Sequence, residues 1–479
     1  MQHLFVSVNF LVRYIWRGAL LLALAAAGPA AWGQSFGPAN SYSTGTGSTP
    51  FGVSVGAVNG DGLLDIVSAN FSSNTAGVIL GQPIGGFATV STYSTGAGST
   101  PTNVTLGDVN GDGRLDIVTA NENSQTAGVL LGQASGFAAV NTYSAGNSAF
   151  PRGVALGDVD SDGRLDIILT NNQRNDVGVL LGLAGGFATV SSYPIGTNGG
   201  PRDVALGDVN SDGRLDIVTA NVEAANVGVF LGAANGGFMA TSAYSTGAAS
   251  RPAGVALSDL NGDGRLDIIA AIINVSTPDN VGVLFGLAGG GFAPVSLYPI
   301  GRSTTPLGVA VGDVNGDGRS DIITANFGNN NVGVLLGNSS GFAPPIIYPT
   351  GAGSQPARIV LADLNGDHRL DIITANFGTS SASVLLNTGT FTPLATARPT
   401  AAEITLAPNP AHNGFMVRLP AGTTLIQAEL LNDLGQVVHR QVVGGVTGFR
   451  VETSGLAPGV YTLRMLAGGA ALARRVVVE

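Results

Sequence analysis

The chain has no cysteine. That excludes disulfide staples, Cys–His nucleophilic chemistry and thiolate zinc sites. It has no lysine either, so all 21 basic side chains are arginine. Only four histidines occur, His3, His368, His412 and His439, and a Ser–His–Asp triad in the body of the chain would have to recruit His368. Charged residues make up 11% of the 479 positions, well below the usual quarter. The formal net charge of −10 argues against a nucleic-acid partner. No segment shows the 3.6-residue apolar period of an amphipathic helix. Beyond residue 33 no run is apolar enough to span a membrane.

Glycine is abundant, at 72 residues, and alternates with short Val, Ile and Leu runs, which fits many tight turns. One stretch recurs almost letter for letter: Asp108-Val-Asn-Gly-Asp-Gly-Arg-Leu-Asp116. Its seven copies begin at Ala57, Asp108, Asp158, Asp208, Asp259, Asp313 and Asp363, a step of 50 or 51 residues with one of 54. Oxygen-bearing side chains stand at positions 1, 3, 5 and 9, with Gly at position 6. Short oxygen donors at alternate positions converge only if the backbone curls tightly, and Gly supplies the positive φ for that curl. Hard oxygen ligands on such a loop suit Ca²⁺. A polar hairpin turn needs one Asp or Asn, whereas 21 of the 31 acidic residues fall at these positions.

The candidate calcium ligands are therefore Asn59, Asp61 and Asp65 in the first copy, then Asp108, Asn110, Asp112 and Asp116. Asp158, Asp160, Asp162 and Asp166 follow, then Asp208, Asn210, Asp212 and Asp216. The last three sets are Asp259, Asn261, Asp263 and Asp267; Asp313, Asn315, Asp317 and Asp321; and Asp363, Asn365, Asp367 and Asp371. The end copies are the weaker ones. Ala57 replaces the first carboxylate, and His368 replaces the position-6 Gly.

A repeat near 50 residues points to a propeller or solenoid. In the copy around Asp158, strands are expected at 154–158, 166–170, 177–181 and 187–193, separated by the acidic loop, a polar turn at 171–176 and a Gly-rich turn. Four short strands per unit make a propeller blade. A Phe-x5-Tyr spacing recurs at Phe36/Tyr42, Phe87/Tyr93, Phe137/Tyr143, Phe187/Tyr193, Phe238/Tyr244, Phe292/Tyr298 and Phe342/Tyr348. Its even separation predicts both rings on one strand face, packing between blades.

The runs Gly157-Asp-Val-Asp-Ser-Asp-Gly-Arg-Leu-Asp166 and Val177-Gly-Val-Leu-Leu-Gly182 resemble the FG-GAP, or VCBS-type, repeat of integrin α-subunit propellers and bacterial surface proteins. The resemblance covers about residues 36–397. It implies an all-β fold, a seven-bladed β-propeller with calcium-binding loops between the first two strands of each blade. The strand at 36–42 is expected to close the ring by pairing with the last blade, with 391–397 as its rival.

Residues 1–33 read as an export signal, in which Arg13 and Arg17 precede a short apolar run at 19–27. The propeller is expected over 34–397, then a linker at 398–402. Residues 403–479 read as a small immunoglobulin-like β-sandwich. Leu406-Ala-Pro-Asn-Pro-Ala411, Leu431-Asn-Asp-Leu-Gly435 and Leu456-Ala-Pro-Gly-Val-Tyr461 resemble the type A sorting domain of the type IX secretion system. That resemblance implies handling by the type IX machinery, with the product secreted or attached to the outer surface of a Gram-negative bacterium.

Few acidic residues of the propeller lie outside the motif: Glu122, Asp176, Asp203, Glu223 and Asp279, scattered over different repeats. A glycosidase needs two converging carboxylates. The expectation is thus a non-enzymatic adhesion or binding module for a glycan or protein ligand on the face opposite the calcium loops. A polysaccharide-degrading enzyme or its accessory module is the alternative. Arg152, Arg202, Arg251, Arg302 and Arg358 stand beside prolines in inter-blade loops, and symmetry would gather them at one mouth of a central channel.

Overall fold

A computed structural model describes residues 36–389 apart from 84, 234–236 and 276. In the C-terminal part it describes 405–407, 411, 413–418, 425–431, 437–442, 448–454, 456, 459–467 and 470–478. The export segment 1–33, the candidate closing strand 391–397, the linker 398–402 and His412 lie outside these residues. Among the described residues the chain is all-β but for one 3₁₀ turn, Phe327–Asn329.

Among the described residues the repeats give seven four-stranded antiparallel sheets, the last completed by an N-terminal strand. In the third, Pro151–Gly157 pairs with Asp166–Asn171, which pairs with Asp176–Leu180, which pairs with Ser191–Pro194. The second strand is buried along its whole length and the fourth is mostly exposed. The gradient follows from the sequence, because the run Asp-Ile-Ile-Leu-Thr-Asn carries apolar side chains toward both faces. Facing sheets share cores: Val118, Ala120 and Val129 of the second sheet pack with Val154, Ile167 and Leu180 of the third. Burial of each such side chain contributes about 1.5–3 kcal/mol.

The first strands of successive sheets lie side by side, and the last, Pro356–Ala362, packs against the first, Pro50–Gly56. Asn40–Ser43 supplies the outer strand of the last sheet by pairing with Ser381–Leu385. The N-terminal strand therefore takes the closing edge.

The aromatic spacing works differently from the expectation. Phe187 does not share a strand with Tyr193. It sits in a two-residue ladder, Gly186–Phe187 against Gly182–Leu183, ahead of the fourth strand. There it packs edge-on against Tyr143 of the preceding repeat, with centroids 5.1 Å apart and planes at 78°. Tyr42/Phe87, Tyr93/Phe137, Tyr193/Phe238, Tyr244/Phe292 and Tyr298/Phe342 repeat this contact. Phe36 on Tyr348, at 5.2 Å and 83°, closes the series. The rings clamp neighbouring sheets together, in the edge-to-face geometry that their quadrupoles favour.

In the C-terminal part, Thr405–Ala407, Gly414–Arg418 and Gly448–Glu452 form a three-stranded sheet. Val437–Val442, Leu425–Leu431, Gly459–Ala467 and Ala470–Val478 form a four-stranded one. Phe415 and Val451 of the first sheet share a core with Leu430, Leu463 and Val476 of the second.

Candidate metal centres and channel mouth

Antiparallel pairing separates two ends of every sheet. Gly157 faces Asp166 at one end, where the acidic loop lies, and Pro151 faces Asn171 at the other. The acidic loops therefore share one rim. Each contains two left-handed residues, at positions 4 and 6, such as Ser161 (φ 62°) and Gly163 (φ 87°). His368 adopts the same conformation at φ 63°, and its amide still donates to Asp363 Oδ2 at 2.7 Å.

The position-9 aspartates, Asp65, Asp116, Asp166, Asp216, Asp267, Asp321 and Asp371, are fully buried. Each accepts two backbone N–H bonds. Asp216 Oδ2 takes Val209 N at 2.8 Å, and its Oδ1 takes Gly232 N at 2.7 Å. Only glycine fits at 232, because a Cβ there would stand 2.6 Å from the Leu215 carbonyl oxygen. Burial pushes all seven carboxyls up, against those two hydrogen bonds, and neighbouring aspartates add to the rise. Asp321 reaches about 7 and Asp371 about 6.

The outer carboxylates cap the loop itself. Asp208 accepts from the amides of Asp212 and Gly213, and Asn210 also accepts from Asp212 N. Loop 158–166, whose position 3 is Asp, brings oxygens of Asp158, Asp160 and Asp166 within 4.8 Å of one another. Two ligands across a Ca²⁺ ion, each at 2.3–2.6 Å, lie up to about 5 Å apart, so this donor set fits the ion. It is the one such group of carboxylates among the described residues. In the other loops position 3 is Asn or position 1 is Ala57.

Sequence reasoning overlooked position 7. Arg164, Arg214, Arg265 and Arg369 each donate from Nη2 to the position-5 aspartate. Their Nε atoms donate to the carbonyls of Gly182, Gly232, Gly286 and Asn387, tying each loop to the chain beyond the third strand. The recurrence of Arg at this position was the available signal.

At the opposite rim each first strand carries a β-bulge just after its proline. The register slips between Pro50 and Gly52, Pro101 and Asn103, Pro151 and Gly153, and Pro201 and Asp203. It slips again between Pro252 and Gly254, Pro306 and Gly308, and Pro356 and Arg358. A bulge re-aims its extra residue. The seven bulged residues are Phe51, Thr102, Arg152, Arg202, Ala253, Leu307 and Ala357. Ala253, Leu307 and Ala357 pack together with Phe51, Ile273 and Phe327. Phe51, Thr102, Arg152 and Arg202 line a cavity of about 190 Å³, with Phe71, Glu122, Arg358 and Phe377.

The five arginines are thus not equivalent. Arg152 and Arg202 occupy the bulge, and Arg358 lies one residue beyond it. Arg251 precedes Pro252 and pairs with exposed Glu223 at 3.1 Å. Arg302 lies on the exposed segment before Pro306. Only Arg152, Arg202 and Arg358 meet in the cavity; the bulge aims the first two inward, whereas Arg358, just beyond its bulge, is drawn in by its ion pair with Asp203.

Six successive stretches, 58–119, 108–169, 158–219, 210–270, 271–324 and 313–374, match the FG-GAP-like repeat. Together they span more than half of the 479 residues. The chain belongs to the FG-GAP-like repeat family. Residues 405–479 match the secretion system C-terminal sorting domain. These FG-GAP-like repeats therefore travel on a chain marked for type IX secretion, to the cell surface or beyond it. No helix among the described residues is long and apolar enough to cross a membrane.

No curated protein matches this FG-GAP-like chain. Among solved structures it is similar to a Bacteroides uniformis protein assigned as a 6-phosphogluconolactonase, at 17% identity over 63% of this chain and 86% of that one, TM-score 0.48. It is also similar to Kuenenia stuttgartiensis hydrazine synthase, at 17% identity over 72% and 97%, TM-score 0.49. Likenesses this distant carry no activity to the present chain.

Proposed function

We propose that the seven sheets are the blades of one closed seven-bladed β-propeller, that its acidic loops bind Ca²⁺, and that it serves as a secreted, non-enzymatic binding module. Its ligand, a glycan or a protein, is taken on the face opposite the calcium loops. The C-terminal two-sheet unit is read as an immunoglobulin-like sandwich that addresses the protein to its secretion machinery. The observation that carries the reading is the division of the sheets into two rims. One rim presents a repeated carboxylate loop, and the other gathers one inward side chain from each repeat.

Support for a non-enzymatic role comes from the remaining carboxylates, each of which already has a structural partner. Glu122 accepts two bonds from Arg152, and Asp203 pairs with Arg358. Asp176 holds Asn171 and Arg174. Asp279 caps Asn274 and Thr305, and Glu223 holds Arg251. None is left to pair with another as acid and base.

Calcium, when bound, would supply charge neutralisation for carboxylates that the fold crowds together, with Asp158, Asp160 and Asp166 as its best-formed ligand set. Binding to the folded form alone adds about 2.7 kcal/mol per site at a hundredfold excess over Kd. Chelation is therefore expected to lower the melting temperature, and an unchanged melt after verified metal loss refutes the calcium reading. A glycan and peptide array on the secreted protein tests the function. Capture without turnover supports it, whereas release of reducing ends or unsaturated sugars establishes the polysaccharide-degrading alternative.

A further inference from the structure

We propose that the channel-mouth cavity binds a single carboxylate carried on an apolar body about the size of one amino-acid side chain. The proposal deepens the binding reading above by naming a ligand class, and it does not depend on calcium.

The charge inventory of the cavity is uneven. Three guanidinium groups line it, Arg152, Arg202 and Arg358, and two carboxylates serve them. Glu122 takes Arg152 Nε at 3.0 Å and Nη2 at 2.7 Å. Asp203 reaches across from the fourth sheet to Arg358 of the seventh, with Nη1 to Oδ2 at 2.6 Å. Arg202 has neither. Its guanidinium carbon stands 5.6 Å from the centroid of the Phe51 ring, and its side chain donates no hydrogen bond among the described residues. Arg358 Nε is likewise buried with no acceptor among them. One positive charge and one buried donor are left over.

Burial and the adjacent Arg358 and Arg152 lower the Arg202 guanidinium to about 10, and the more weakly felt Asp203 and Glu122 do not offset them. A monoanion would relieve that repulsion. A planar carboxylate suits the fork of a guanidinium, and one negative charge matches the surplus where a phosphate dianion exceeds it.

The walls define the rest of the ligand. Phe51, Phe71 and Phe377 dominate them, and Phe51 meets Phe377 edge-on with centroids 6.1 Å apart. Ala253, Leu307 and Ala357 extend the apolar surface beside Phe51. The volume of about 190 Å³ equals the share of about six liquid waters, enough for one aromatic or branched side chain beside its carboxylate. A free small acid and the carboxyl end of a peptide finishing in a hydrophobic residue share this chemistry.

Titration calorimetry on the full chain tests the proposal with phenylacetate, phenylacetamide, glucuronate, inorganic phosphate, and a short peptide ending in Phe as free acid or amide. Phenylacetate is expected to bind with Kd on the order of millimolar. The amide is expected to bind at least about tenfold more weakly, the factor that one hydrogen bond to a charged group decides; glucuronate and phosphate, which lack an apolar body for the Phe walls, should be weaker by about the same factor. Preference for the free-acid peptide over its amide assigns the source to a chain end; binding of phenylacetate alone assigns it to a free acid. Arg202→Gln should weaken phenylacetate by about tenfold to a hundredfold while leaving the unliganded melting temperature unchanged or higher, because a like charge is removed. A Phe51→Leu variant should weaken it less, through lost ring contact alone.

Equal binding of acid and amide, or of glucuronate and phenylacetate, overturns the proposal. So does no binding of any acid, and so does an Arg202→Gln protein that binds as the parent does. If these acids fail while the array still captures another ligand, the carboxylate pocket is wrong and the binding module stands.

Discussion

Replacing Asp216 separates its role as a backbone staple from the calcium-ligand role proposed for it. The side chain is fully buried, and both its oxygens hold backbone amides, Val209 N at 2.8 Å and Gly232 N at 2.7 Å. Asp216→Ala strands both donors in a site where a loop and a strand connection meet. An unsatisfied buried donor costs about 1–3 kcal/mol, so the loss is about 2–6 kcal/mol. Asp216→Asn keeps one acceptor and turns an NH₂ toward the other amide, for a loss of about 1–3 kcal/mol. Relief of burying an anion that its surroundings disfavour offsets part of either figure. The assay is urea unfolding of parent and variants in chelator, where no metal contributes, with hydrogen exchange read at the Gly232 amide. Added calcium should then widen the gap, because the variants lose a ligand as well as a staple. The reasoning fails if Asp216→Asn in chelator unfolds at the parent's urea midpoint and protects Gly232 equally well.

Two further predictions follow from the same geometry. In chelator the protein should lose stability as pH rises from about 4 to about 7: Asp321 at about 7 and Asp371 at about 6 hold protons in the fold that an unfolded Asp near 3.8 has released. Saturating calcium should flatten that slope, and stability that is level or rising across the window in chelator contradicts the burial argument. Phe36→Ala should destabilise the repeat domain by about 3–5 kcal/mol, since Phe36 is buried against Tyr348 and starts the segment that completes the last sheet. A loss below about 1 kcal/mol by chemical denaturation would show that the ring closes without it.

The period of the acidic loop, its glycines and its order between two apolar strands were legible in the chain alone. Each is a local pattern whose physics is complete within nine residues. The type of fold followed, because four short strands at a constant step leave few ways to bury their faces. Which residues meet across repeats was not legible. The rings do pack between repeats as the spacing suggested, but Phe187 and Tyr193 share no strand, because a two-residue ladder interrupts the one that periodicity had drawn through both. The arginines read as five equivalents because each stands near a proline, yet the bulge turns in only Arg152 and Arg202, and Arg358 joins them from the next position through Asp203. Which side chain a bulge aims inward, and that Asp203 would cross the channel to Arg358 while Arg202 kept no carboxylate, depends on sheets far apart in sequence. Composition and spacing determined the acidic loop pattern; tertiary packing decided which charges meet, because Asp203 and Arg358 come together from 155 residues apart.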